Sequence, residues 1–183
     1  ELVDLPLIEN IAKTGKPIIL STGMANLDEI SEAVQTAESA GARNISLLHC
    51  TSSYPTPYSD CHLKNISYLR QQYNLVTGLS DHTTGITAPI AAIATGANII
   101  EKHFTLNRSD GGVDADFSLE PDEFMSMVKH CHQAWQAIGE AEFGVLPSEK
   151  DSINYRRSIY ITEDMKQGDK FTSSNLRSIR PGY

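Results

Sequence analysis

The sequence predicts an α/β fold: the C-terminal half of a (β/α)8 barrel, followed by the beginning of a small β-rich domain. A short apolar strand, a polar turn and an amphipathic helix recur four times, with strands starting at residues 17, 45, 75 and 98. These starts lie 28, 30 and 23 residues apart, close to the ~30 residues per unit of a complete barrel. After residue 144 this alternation stops, and short β segments surround a Lys-Gln-Gly-Asp turn at 166–169.

The first unit shows the clearest local signals. Residues 17–22 read as a strand, and Asn26 with Glu29 three positions later forms a capping box that predicts a helix start. Gly41 marks the expected end of that helix. The remaining strands are predicted over 45–50, 75–80 and 98–104, with helices over 63–73, 86–95 and 121–138. Residues 1–14 are predicted to be the helix of a preceding unit.

The chain therefore divides into three predicted parts. Residues 1–144 form half of a barrel, residues 145–157 form a polar linker, and residues 158–183 begin the small β-rich domain. The chain starts without Met and stops directly after a predicted strand, so we expect it to be a piece of a longer protein.

Composition excludes several classes of protein. The 183 residues carry 15 Lys and Arg against 23 Asp and Glu, a net charge of −8, which disfavours binding to nucleic acid. No apolar run approaches the ~20 residues that a membrane helix needs. The three cysteines have no CxxC spacing, so we expect neither a disulfide framework nor a cysteine zinc site, and a cytoplasmic location.

Polar residues cluster where the predicted strands end, which is where parallel α/β folds place their active sites. Adjacent strands lie ~4.8 Å apart, so His82 and His103 at neighbouring ends can bind one divalent metal ion. Alternatively, both are hydrogen-bonded barrel residues. His49 ends another strand, where it is a third ligand, a substrate donor or a packing residue. Ser21 and Ser80 are hydroxyl donors that either hold a phosphate or cap turns.

Two further polar features accompany these strand ends. Asp81 either orients His82 or caps a turn. The loop 110–116 carries several carboxylates without the spacing of a calcium loop, so we expect one of them to face a substrate. We expect Cys50 to be structural.

Several long motifs together resemble the sialic acid synthases, which condense phosphoenolpyruvate with an amino sugar. The similarity covers essentially the whole chain, and residues 178–182 resemble the family's small C-terminal domain, which is similar to type III antifreeze protein (a SAF domain). The matching stretches are KPIILSTGM (16–24), LLHCTSSYPTP (47–57), GLSDHT (78–83), IIEKHFTL (99–106), SLEPDEF (118–124) and SIRPG (178–182).

The resemblance implies a role for each matched residue. His82 and His103 correspond to the ligands of a divalent metal, Mn²⁺ with Mg²⁺ or Co²⁺ as substitutes, and Ser21 and Ser80 to hydroxyls that bind phosphoenolpyruvate. Arg180 corresponds to an arginine that reaches the active site of the partner subunit, which implies a domain-swapped homodimer. The implied sugar contacts are Tyr54, Asp114, Thr51, Ser52 and Arg180.

The implied reaction joins C3 of phosphoenolpyruvate to C1 of an open-chain sugar aldehyde, takes up water and releases phosphate. The stretches 108–121 and 178–183 resemble the pseudaminic acid synthase branch, whose acceptor is a 2,4-diacetamido-2,4,6-trideoxy-altropyranose and whose product is a nine-carbon 2-keto sugar acid. His49 is more typical of neuraminate synthases, so neuraminate and legionaminate synthases are alternatives. More distant alternatives are a metal-dependent pyruvate aldolase and a non-catalytic carbohydrate-binding fragment. Further phosphate-binding residues are expected upstream, so the chain alone is expected to be inactive.

Overall fold

The computed structural model describes residues 2–182, which fall into two compact units divided after Gly139. Glu1 and Tyr183, at the outer limits of the first and last predicted parts, lie outside the described residues. The predicted limits of the barrel, linker and small domain stay predictions. Among the described residues, none of the helices is both long enough and apolar enough to cross a membrane.

The first unit alternates strands and helices, as the sequence predicts. Asn26 caps α2: its side chain accepts a hydrogen bond from Glu29 N at 3.0 Å, and Asn26 N donates to the Glu29 carboxylate at 2.8 Å. This confirms the predicted capping box. The helices are α1 (Leu5–Ala12), α2 (Leu27–Ser39), α3 (Lys64–Tyr73), α4 (Thr87–Ala94) and α5 (Pro121–Ile138). The strands are β1 (Ile18–Ser21), β2 (Ile45–Cys50), β3 (Val76–Asp81) and β4 (Ile99–Lys102).

The four strands form one parallel sheet in sequence order, β1-β2-β3-β4. This order, with a helix after each strand, is that of consecutive units of a (β/α)8 barrel and confirms the predicted half-barrel. The β3–β4 register pairs Ser80 with Glu101 and Asp81 with Lys102. The strand β4 ends at Lys102, two residues earlier than predicted, because Phe104 forms only an isolated bridge with Leu119.

Side chains alternate between the two faces of this sheet. One face packs against the helices, and its core contains the fully buried Leu47 and the nearly buried Leu69 and Leu79. The other face corresponds to the barrel interior and bears the candidate site. This alternation decides which of the polar residues at the strand ends can act together.

The second unit contains a short antiparallel pair, β5 (Ser158–Ile161) and β6 (Leu176–Ile179). Arg157 supports the pair by donating from its guanidinium to the carbonyl of Ser178 at 2.9 Å. Its identification with the antifreeze-like domain stays a prediction.

Candidate active site

The candidate site occupies a cleft of about 640 Å³ at the carboxyl ends of the strands. Each of the four strands contributes to it, because residues two apart share a face and the parallel strands end together. The predicted site residues lining the cleft are Ser21, Ser52, Tyr54, Ser80, His82 and His103.

His82 follows β3 and is held by the loop that follows β2. Its Nδ1 lies 2.9 Å from the carbonyl oxygen of Thr51, and its own carbonyl accepts a hydrogen bond from Thr56 N at 2.9 Å. A carbonyl can only accept, so in the neutral imidazole Nδ1 carries the proton and Nε2 keeps its lone pair. This is the arrangement of a metal-binding histidine whose other nitrogen fixes the tautomer.

His103 lies beside His82, with the two ring centroids 5.3 Å apart. Its Nδ1 is 3.6 Å from a carboxylate oxygen of Asp114, close enough for electrostatic attraction but too long for a hydrogen bond. Of the carboxylates in the loop 110–116, Asp114 thus lies against His103, and the expectation that one of them faces a substrate stays a prediction.

Aromatic rings enclose the two imidazoles. The Tyr54 ring lies over His82, with centroids 4.2 Å apart, and the buried Phe117 packs 4.9 Å from His103. Tyr54 and Phe117 also contact each other at 6.0 Å. These contacts fix the orientation of both imidazoles and screen them from water on one side.

The serine hydroxyls are distributed along the cleft. Ser80 donates a hydrogen bond of 2.6 Å to the carboxylate of Glu101, its register partner on β4. Ser52 lies next to Gly23, where an added Cβ would be 3.3 Å from its hydroxyl oxygen. A phosphate bound here would compete with Glu101 for the Ser80 proton, since each hydroxyl has one proton to donate.

Cys50 and His82 influence each other's ionisation. Burial lowers the pKa of His82, but the Cys50 thiol and the Thr51 carbonyl raise it, and the resulting pKa is above the ordinary value. Burial raises the pKa of Cys50, but His82, Ser80 and Ser52 lower it, and the resulting pKa is below the ordinary value.

A divalent metal fits the donor set of His82 and His103. Two imidazoles leave further coordination positions for water or substrate, as in a catalytic rather than a structural site. Within residues 2–182 no group of three or more His, Cys, Asp or Glu side chains is arranged to hold a metal ion. The assignment of His82 and His103 as metal ligands stays a prediction.

Two residues named from the sequence, His49 and Thr51, lie elsewhere or act differently. His49 is on the helix-facing side of β2, where its Nε2 is 2.7 Å from the carbonyl of Cys61 and it lines a separate cleft. Cys50 lines the candidate cleft, and its neighbour His49 points to the other face of the sheet. His49 is therefore a packing residue rather than a third ligand. Thr51 contributes its carbonyl, while its hydroxyl donates to Asp60 O at 3.1 Å. Arg180 follows β6 in the second unit.

The structure adds one site residue, Phe117, that the sequence did not single out, and it shows the contacts of Asp81. Phe117 lies in a short 3-10 turn within the loop before α5, and no periodic pattern marks it. The Asp81 carboxylate accepts hydrogen bonds from Thr83 and Lys102. The bonds from Thr83 agree with the interpretation of Asp81 as a turn cap.

Comparison with known proteins finds two relatives that align with almost all of this chain. A Campylobacter jejuni protein named N,N'-diacetyllegionaminic acid synthase is 44% identical over 184 residues, which cover 99% of this chain and 55% of the relative. A pseudaminic acid synthase from the same organism is 38% identical over 183 residues, covering 100% of this chain and 53% of the relative.

A solved structure shows the same fold. The crystal structure of N-acetylneuraminic acid synthetase from Leptospira borgpetersenii, in complex with citrate, aligns with a TM-score of 0.77 and 37% identity, covering 85% of this chain and 54% of that one. The chain spans about half the length of the curated relatives it matches. The NeuB family model matches residues 1–143, and the chain therefore belongs to the NeuB family.

Proposed function

We propose that the intact protein containing this chain is a synthase that condenses phosphoenolpyruvate with an acetamido sugar and water, giving a nine-carbon 2-keto sugar acid and phosphate. The observation that carries this proposal is the His82–His103 pair, with Nδ1 of His82 fixed by a backbone carbonyl, in a cleft lined by serine hydroxyls. Membership of the NeuB family supports the same reaction class.

His82 and His103 are the proposed metal ligands, with Mn²⁺ as the expected ion. Such an ion would supply Lewis-acid polarisation of the sugar aldehyde. The protein's own contribution is to fix the tautomer and orientation of His82 through Thr51 O, and to orient His103 through Asp114 and Phe117. Preorganisation of this kind removes reorganisation from the reaction itself.

Ser21 and Ser80 are proposed to bind the phosphate of phosphoenolpyruvate. Both lie on the inner face of the sheet, on β1 and β3, so they approach one ligand from two sides. Ser80 must turn its proton from Glu101 to the ligand. Orienting two substrates in this way accounts for several kcal/mol of a typical barrier reduction.

The sugar is proposed to contact Tyr54, Asp114, Thr51 and Ser52. Tyr54 is half-exposed over the His82 ring, so its hydroxyl is accessible to a substrate. Arg180 is proposed to complete this site from the partner subunit of a domain-swapped homodimer.

The acceptor sugar is proposed to be the diacetamido-altrose of the pseudaminate branch, from the motif at 108–121. A legionaminate-type acceptor is the second candidate, because the relative named for that product is 44% identical and the one named for pseudaminic acid is 38% identical.

Alanine substitution of either histidine tests the proposed site. In the intact protein, His82→Ala and His103→Ala should each abolish Mn²⁺-dependent phosphate release from phosphoenolpyruvate. His130→Ala, which changes an exposed histidine of α5, is the matched control and should retain activity. Full activity in either site variant would contradict the metal assignment. Consumption of pyruvate without phosphate release would instead favour an aldolase, and binding of the sugar without turnover a carbohydrate-binding role.

A further inference from the structure

A buried ion pair lies behind the two histidines, on the opposite face of the sheet. The Nζ of Lys102 is 2.6 Å from the Oδ2 of Asp81, and the two side chains are 0% and 2% exposed. Asp81 immediately precedes His82 and Lys102 immediately precedes His103, and the register places them directly opposite each other on β3 and β4. The pair therefore joins the two strand ends that bear the histidines.

The same cluster also binds the residue that follows His82. The Asp81 carboxylate accepts hydrogen bonds from Thr83 N at 3.0 Å and from Thr83 Oγ1 at 3.1 Å. Lys102 donates a further hydrogen bond to the carbonyl of Thr83. Asp81 and Thr83, the residues on either side of His82, are therefore both hydrogen-bonded to Lys102, the residue before His103.

Stability alone is a weak explanation for such a cluster. Burying two charges is costly, and well-packed apolar residues in the same place are often as stabilising or more so. An ion pair does, however, fix the relative position of its two side chains, because each charge-assisted hydrogen bond favours a narrow range of distance and angle. If Asp81 and Lys102 fix the separation of β3 and β4, they also set the separation of His82 and His103, the residues that follow them.

We propose that the cluster of Asp81, Thr83 and Lys102 is a positioning device that fixes the spacing of His82 and His103 and so sets the affinity of the site for a divalent cation. This inference rests on the proposed function, because it takes the two histidines to be metal ligands. Asp81 and Lys102 are positioning residues, since they lie on the far face of the sheet from the ion.

The test measures Mn²⁺ binding to the intact protein, using the electron paramagnetic resonance signal of free Mn²⁺, for the wild type, Asp81→Asn and Lys102→Met. We expect the affinity of both variants to fall about 10- to 100-fold, as for other residues that orient metal ligands. Because each single change leaves one buried charge without its partner, the double variant Asp81→Asn/Lys102→Met, which removes both charges, is measured beside them and should show the same loss of affinity. The absorption spectrum of bound Co²⁺ should also change, because it reports coordination geometry.

Val34→Ala is the matched control for lost stability. Val34 is 5% exposed and belongs to the core cluster formed with α1, β1 and β2, away from β4. This variant should lower the urea midpoint without changing Mn²⁺ affinity or the Co²⁺ spectrum.

The outcomes separate the two proposals. Unchanged Mn²⁺ binding and Co²⁺ spectrum in Asp81→Asn would overturn the positioning role alone, and so would an equal loss of affinity in Val34→Ala. Absence of Mn²⁺ binding by the wild type would overturn both the metal assignment and this inference.

Discussion

Gly78 of β3 lies close to the backbone of β4, and Gly78→Ala tests that geometry. A Cβ at Gly78 would lie 2.2 Å from the carbonyl oxygen of Ile99, 2.9 Å from its carbonyl carbon and 2.7 Å from Cδ2 of Leu48. The Leu48 methyl can rotate away. The Ile99 carbonyl cannot, because Ile99 is the register partner of Gly78 in the ladder.

The size of the effect follows from these distances. Relieving the contact requires the two strands to separate by about 1 Å, because a methyl group and a carbonyl oxygen rarely approach closer than roughly 3.2 Å. Overpacking of this kind costs about 1–3 kcal/mol, and each weakened ladder hydrogen bond adds about 1 kcal/mol. We expect a loss of about 3 kcal/mol in the free energy of unfolding, or about 1 M in urea midpoint at a slope near 3 kcal/mol/M.

The assay is urea unfolding of the intact protein, followed by circular dichroism, with Leu48→Ala/Gly78→Ala beside the single variant. The double variant should be no more stable, because it relieves only the side-chain contact and leaves a cavity. A Gly78→Ala variant within about 0.5 kcal/mol of the wild type, the range of ordinary surface changes, would refute the described strand packing. Restored stability in the double variant would mean that Leu48, not the Ile99 carbonyl, limits the space.

Two further changes have expected outcomes. Ile66 is fully buried on α3, so Ile66→Ala should lower the free energy of unfolding by about 3 kcal/mol, measured by the same urea titration; a loss under about 1 kcal/mol would mean that α3 does not pack as described. Burial lowers the pKa of His49 from its ordinary 6.5, outweighing the hydrogen bond to the Cys61 carbonyl. The folded protein therefore binds a proton at His49 less readily than the unfolded chain does. The contribution of His49 to the free energy of unfolding is fully present above pH 6.5 and is lost as the pH falls through the lower pKa of the folded state. His49→Gln should flatten this part of the stability–pH curve, and an unchanged curve would exclude His49 as its source.

Much of the fold could be predicted because each strand and helix has local signals. The capping box at Asn26 and the Pro121 helix start act over a few residues, and the spacing of the strands is counted along the chain, so all three can be found without knowing any long-range contact. The same spacing placed His82 and His103 at neighbouring strand ends, and the structure brings their rings together.

The orientation of His49 was also encoded in the sequence, in the period-2 alternation of β2. Cys50 faces the cleft, so its neighbour His49 must face the helices. Counting strand ends without this alternation left a third metal ligand and a substrate donor among the interpretations of His49.

The remaining features depend on distant parts of the chain. The pairing of Asp81 with Lys102 requires the β3–β4 register, and the packing of Phe117 on His103 requires the path of an irregular loop. Neither has a local pattern, because the interacting residues lie 21 and 14 positions apart in the chain.

Phosphate release from phosphoenolpyruvate by the intact protein tests the central claim most directly. The assay offers Mn²⁺ with the diacetamido-altrose, a legionaminate-type acceptor or N-acetylmannosamine, each with and without a chelator. The account predicts chelator-sensitive phosphate release with the diacetamido-altrose; release with one of the other sugars instead would keep the reaction and change the branch. No release with any of the three sugars would contradict the proposal that this half-barrel belongs to a phosphoenolpyruvate-dependent synthase.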